Sequence, residues 1–136
     1  MSSVELRAPI LAAVQSLLRP LGYRKSASLF ARQSEDVVHL VEVQGSRHST
    51  STDAKFTVNV AVFASALVYP DVRDVTKPSI AGAHWRKRLG RLSRENEDVW
   101  WRVSTIEQAE AVAHDIAVRL EQYAILRSWP CLTSPR

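Results

Sequence analysis

The sequence predicts an α+β fold: a two-layer domain with an antiparallel sheet of about four strands and N- and C-terminal helices packed on one face. Three observations predict it. The chain opens and closes on apolar residues at helical spacing, β-branched runs fill the middle, and short polar segments between those runs let neighbouring strands pair as hairpins.

The first helix rests on Leu6, Ile10, Val14, Leu17 and Leu18, preceded by a capping box of Ser2 and Glu5. Pro9 lacks an N–H, so regular helix is expected only from about Ala8. Pro20 and Gly22 end it, and Leu21 to Lys25 reads as a turn leading outward, with cations near the negative helix end. Ser28 to Arg32 is a short strand, turned back by Ser34, Glu35 and Asp36. Asp36 to Gln44 is β-branched and nearly continuous, with His39 sharing the parity of Val41 and Val43 as a core histidine.

Gly45 to Asp53 is a loop of residues that hydrogen-bond their own backbone. Lys55 to Ala64 is the strongest strand, with Phe56, Val58, Val60 and Val62 on one face and Thr57, Asn59, Ala61 and Phe63 on the other. Tyr69 to Pro78 is an irregular link, and Val99 to Val103 a last strand whose two adjacent tryptophans point to opposite faces. A second capping box, at Ser104 and Glu107, opens a helix on Ile106, Ala109, Ala113, Ile116, Ala117, Leu120, Tyr123 and Ala124. Off that stripe, Glu110, His114, Asp115 and Arg119 are expected in solvent. Residues 1–136 form a single domain, with Ser128 to Arg136 a frayed tail.

Hydrophobic residues at 46% and charged residues at 24% are ordinary globular values and indicate neither disorder nor a membrane span. The net charge of +4 is mild and concentrated between Arg86 and Arg94, which disfavours a dedicated nucleic-acid binder. Cys131 is the single cysteine. It excludes an internal disulfide and a cysteine-based metal site and fits a cytoplasmic location.

Ala83 to Val103 concentrates the unusual residues, holding three of the four tryptophans and the basic block. Trp85, Leu89 and Leu92 recur at i, i+4 and i+7, which predicts a short helix with an apolar stripe. Lys87, Arg91 and Arg94 form another side, and Gly90 costs such a helix about 1 kcal/mol. Glu95, Glu97 and Asp98 follow and can partly neutralise the block. It reads either as a solvated charged face or as a binding face, because tryptophan and arginine are the types enriched where partners are gripped.

Leu18 to Tyr23, Gln44 with Ser46, Phe56 to Val60, His84 to Arg86, Arg88 to Gly90 and Trp100 with Trp101 together resemble an uncharacterised bacterial family, domain of unknown function 4304. The resemblance spans nearly the whole chain. It implies a bacterial protein and a stand-alone domain, and carries no activity.

His39, His48, His84 and His114 stand without metal-ligand spacing, and no nucleophile elbow, phosphate loop or dinucleotide fingerprint occurs. No catalytic residue, metal site or cofactor is therefore assigned. The candidate binding residues are Gln44, Arg47, Asn59, His84, Trp85, Arg86, Arg88, Trp100 and Trp101, with Gln44, Asn59, His84 and Arg88 expected to converge. The leading expectation is a non-enzymatic binding module for another protein, an acidic one, with neutralisation of a toxin as one form. The alternative is a small enzyme acting on an anionic small molecule through His84 and Arg86 or Arg88.

Overall fold

Leu6, Ile10, Val14 and Leu18 recur every four residues and are all fully withdrawn from solvent, which is the stripe that makes Ser3–Leu18 a packed helix, α1. The computed structural model describes residues 3–34, 37–46, 53–64, 85–93 and 96–125. Pro9 lies inside α1, which begins at Ser3 rather than near Ala8. An interior proline costs a helix about 3 kcal/mol. Here it falls between Leu6 and Ile10, and their burial holds the first turns in place.

A 3-10 turn, Arg19–Leu21, closes α1, and Gly22 takes φ +97° while its N–H donates to the Arg19 carbonyl at 3.0 Å. That left-handed conformation is one only glycine adopts without strain. The chain does not then turn outward as expected. Arg24–Ser26 is a strand, β1, paired antiparallel with β2 (Leu29–Ser34) across a turn in which Ala27 takes φ +56°.

β3 (Val37–Gly45) and β4 (Ala54–Ala64) form the long central hairpin, in register from Val37 opposite Ala64 to Gly45 opposite Phe56. Among the described residues the sheet has six strands rather than about four. Its order is β1-β2-β3-β4, after which β5 (Trp85–Arg88) and β6 (Trp101–Val103) share the far edge of β4 end to end, all antiparallel.

The helix expected over Trp85 to Leu92 is therefore a strand followed by one helical turn, α2 (Leu89–Leu92). A spacing of four puts two side chains on one face of a strand as well as of a helix, so Trp85 and Leu89 reach the same core either way. The unpaired edge of β4 from Asn59 to Val62 decides for the strand. Gly90 is required by close approach: a β-carbon there would lie 2.3 Å from the Glu97 carbonyl oxygen and 2.7 Å from the Val99 nitrogen.

The last helix, α3 (Ile106–Arg119), is capped by Thr105, whose hydroxyl accepts from the Gln108 N–H at 3.2 Å. The Gln108 side chain in turn accepts from the Ser104 N–H at 2.7 Å. The capping box thus lies one residue later than the expected pair of Ser104 and Glu107. Ala109, Ala113, Ile116 and Leu120 are buried against α1 and the sheet, and the chain continues as a wider π-type turn through Leu120–Ile125.

One sheet face, carrying Phe30, Val41, Val43, Phe56, Val58, Val60 and Val62, packs against both long helices. The other holds a smaller cluster of Val38, Leu40 and Ala61, flanked by Leu29 and Ala31. No helix among the described residues is long and apolar enough to cross a membrane. Ser2, the link at Tyr69 to Pro78, the tail from Ser128 and Cys131 lie outside the described residues.

His39 is buried on the helix face, directly opposite Arg32 of β2, whose guanidinium lies over the Tyr23 ring. Burial, and then the Arg32 charge, hold its imidazole below the ordinary value of 6.5. The unfolded chain therefore binds more protons than the native one as pH falls through 6.5, and stability declines with it. Thermal melts from pH 8 to pH 5 should show this decline, and His39→Gln should flatten it. In chemical denaturation Gly90→Ala should lose about 1–3 kcal/mol, because the overpacked β-carbon outweighs the gain in helix propensity.

Candidate functional site

Side chains alternate across a strand, so the register assigns a row to the face turned away from the helices: Glu42 of β3, Asn59 of β4 and Arg88 of β5. Beside that row lie Gln44 with Thr57, and Ala61 with Arg86. Asn59 is buried and polar, and an unsatisfied amide there would cost about 1–3 kcal/mol. Its two N–H groups are satisfied: the amide nitrogen donates to Gln44 Oε1 at 2.7 Å and to Glu42 Oε1 at 3.1 Å. Thr57, fully buried, donates its hydroxyl to the Val99 carbonyl at 2.7 Å, which fastens the approach to β6.

Arg88 does not add to the amide pair. Its Nη1 donates to both oxygens of Asp98, at 3.0 and 3.1 Å, and its guanidinium lies over the Trp100 ring, 4.8 Å from the centroid. The side chains of Arg88 and Asp98 remain 33% and 44% exposed. An ion pair this wet contributes about 0–1 kcal/mol, and a cation over an exposed ring a similar amount. The arrangement therefore orients more than it stabilises: it holds a guanidinium over a half-buried indole at the sheet margin. Arg86 and Lys87, next along β5, are exposed, and no carboxylate among the described residues pairs with them.

Of the residues expected to form the site, Gln44, Asn59, Arg86, Arg88 and Trp100 share this side of the sheet. Trp85 and Trp101 belong to the helix side. Trp85 is half-buried and packs on the core. Trp101 lies opposite Phe56, and its indole N–H donates to Asp115 Oδ2 at 2.9 Å. Arg119 pairs with the same carboxylate at 3.1 Å and lies 5.7 Å over the Trp101 ring. Asp115 and Arg119, expected in solvent, thus lock β6 to α3; they fall on the edge of the helix that faces the last strand. Arg47 and His84 lie outside the described residues, so three of the four expected to converge are described.

Sequence reasoning missed Glu42, Thr57 and Asp98 as parts of this site. Glu42 shares the parity of Gln44, and Thr57 that of Asn59, so strand alternation could have found both. Asp98 is placed by the tight packing of residues 97–99 on Gly90, which no local pattern announces. Among the described residues no three of His, Cys, Asp and Glu gather closely enough to hold a metal ion. Replacing Asn59 with alanine leaves two acceptors without their donor, and should cost about 1–3 kcal/mol in chemical denaturation. Asn59→Asp, which sets a carboxylate against Glu42, should cost more.

No curated protein and no solved structure matches the chain. A family model does match, over residues 14–129, a range that takes in every strand, the amide pair and the Arg88–Trp100 stack. By that match the chain belongs to the family described as domain of unknown function, DUF4304.

Proposed function

We propose that this domain is a non-enzymatic binding module for another protein, an acidic one, which it grips along β5 and at Trp100, and that it works in the cytoplasm of a bacterium. The observation that carries the reading is the half-buried Trp100 ring under the Arg88 guanidinium, on the same side of the sheet as the exposed Arg86, with which no carboxylate among the described residues pairs. Tryptophan and arginine supply much of the binding energy where proteins meet, since an indole buries a large area and a guanidinium offers a rigid fork of donors. Orienting both beforehand lowers the ordering cost of binding.

The competing reading, a small enzyme with an arginine clamp on an anion, needs Arg86 and Arg88 together. Asp98 already occupies Arg88, so a substrate anion must displace a carboxylate before it meets the second guanidinium. A protein partner faces no such competition, because Arg86 meets it while the Arg88–Trp100 unit is used as it stands.

Affinity capture with the intact chain, followed by measurement of the purified pair, tests this. The expected partner is acidic, its binding weakens as salt rises, and Trp100→Ala and Arg86→Glu each reduce affinity at least tenfold. Arg24→Glu with Lys25→Glu, on the opposite sheet edge, should leave it nearly unchanged. A partner that binds all these variants equally would remove β5 and Trp100 from the reading.

A further inference from the structure

Two exposed cations stand side by side on β5, on opposite faces of the sheet. Arg86 is opposite Ala61, a residue of the smaller apolar cluster, whereas Lys87 is opposite Val60 of the main core. Alternation along the strand therefore sends the Arg86 side chain to the side of Trp100 and the Lys87 side chain to the side of the helices. Both are exposed, and no carboxylate among the described residues pairs with either. A partner seated on one face meets only one of them. The strand edge is the place from which both are within reach.

β5 offers such an edge. It ends the strand order, and among the described residues the backbones of Arg86 and Lys87 make no hydrogen bond beyond the β4 ladder. Every second residue of a terminal strand turns its N–H and C=O outward, and such groups are a template for one more strand. The surrounding side chains select its sequence. On the helix side Lys87 alternates with the half-buried Trp85, and on the other side Arg86 alternates with Arg88, which lies over Trp100. β1, the opposite terminal strand, also carries cations, Arg24 and Lys25, but its three residues are all exposed and none is aromatic. With both edges cationic, pairing between two copies of the chain sets like charges opposite each other, which disfavours it.

We propose that β5 accepts an extended acidic segment of the partner protein as a further strand of the sheet. The proposal rests on the reading of the domain as a module for an acidic protein, and adds how the two meet. The segment sets one acid beside Arg86 on one face and the next acid beside Lys87 on the other. An apolar residue precedes and follows the two acids, one against Trp85 and one at the Arg88–Trp100 unit. Backbone hydrogen bonds to the outward groups of β5 hold the segment, and these cross-strand neighbours select it.

A blocked hexapeptide, TVEEVT, reads the same in both directions and so presents this pattern whichever way it lies along β5. Added to the intact 15N-labelled chain at constant ionic strength, it should shift the backbone amides of residues 85–88 saturably, while those of residues 24–26 move little. Replacing both glutamates of the peptide with glutamine, or methylating its four central amide nitrogens, should each weaken binding at least tenfold. Lys87→Glu should weaken it as much, although Lys87 lies on the side away from Trp100. An absent or linear response at residues 85–88, equal binding of the methylated peptide, or an equal response at residues 24–26 overturns the proposal. A protein partner that needs Trp100 and Arg86 but ignores Lys87 overturns the added strand and leaves the binding-module reading standing. One that ignores all three overturns both.

Discussion

β4 is the constraint on which the rest depends: it is paired along both edges and covered on both faces. From Phe56 to Val62 every residue is buried. A strand in that position must satisfy its backbone on two sides, and the sequence meets this with β3 along one edge and with β6 and β5 along the other. It must also satisfy any polar side chain it carries. Thr57 and Asn59 are such residues, and their hydroxyl and amide reach Val99, Gln44 and Glu42. Five of the elements around β4 are thereby placed by what β4 lacks, whether a backbone partner, an acceptor for a side chain or a cover for its apolar face.

Arginine over an aromatic ring recurs through the structure: Arg7 over Phe56, Arg32 over Tyr23, Arg88 over Trp100 and Arg119 over Trp101. In each case a long side chain covers apolar surface with its stem and keeps its cation against the negative face of a ring. Their second partners separate their roles. Asp115 closes the Arg119–Trp101 pair into a link between β6 and α3, in which the indole is buried and the guanidinium half-buried. Asp98 closes the Arg88–Trp100 pair at the sheet margin, where the same geometry presents a surface.

The two long helices and the central hairpin were legible in the sequence because each depends on a short period: four for Leu6 to Leu18 and for Ala109 to Leu120, two for Phe56 to Val62. The pairing of Gln44 with Asn59 was legible for the same reason, since alternation puts both on one face and a buried amide has to find an acceptor. The stretch around Trp85 was not legible. Trp85 and Leu89 are four apart, and that spacing is compatible with both a helix and a strand; the choice lay in the unpaired edge of β4, which is formed some twenty residues earlier. Arg24 to Ser26 failed likewise, because a three-residue strand of exposed side chains has no apolar pattern and exists only through its turn and its partner.

Asp115 and Arg119 carry the lesson furthest. Both stand off the apolar stripe of α3, and a polar residue off the stripe is ordinarily solvated. A helix packed on a sheet, however, has flanks as well as a buried line and an exposed one, and a flank that meets an indole N–H is a place for a carboxylate. Trp101 brings a large apolar area and one obligatory donor to that flank, so burying it requires an acceptor at one position, and i,i+4 spacing lets Arg119 hold that acceptor in place. The same reasoning separates the two neighbouring tryptophans. Trp101 finds its acceptor on the flank of α3 and is buried there, whereas Trp100, one residue earlier and on the side of Arg88, is braced by a cation and stays half-buried. Residue type alone made the two rings equivalent candidates; the partner each one meets makes the first a piece of core and the second a piece of surface.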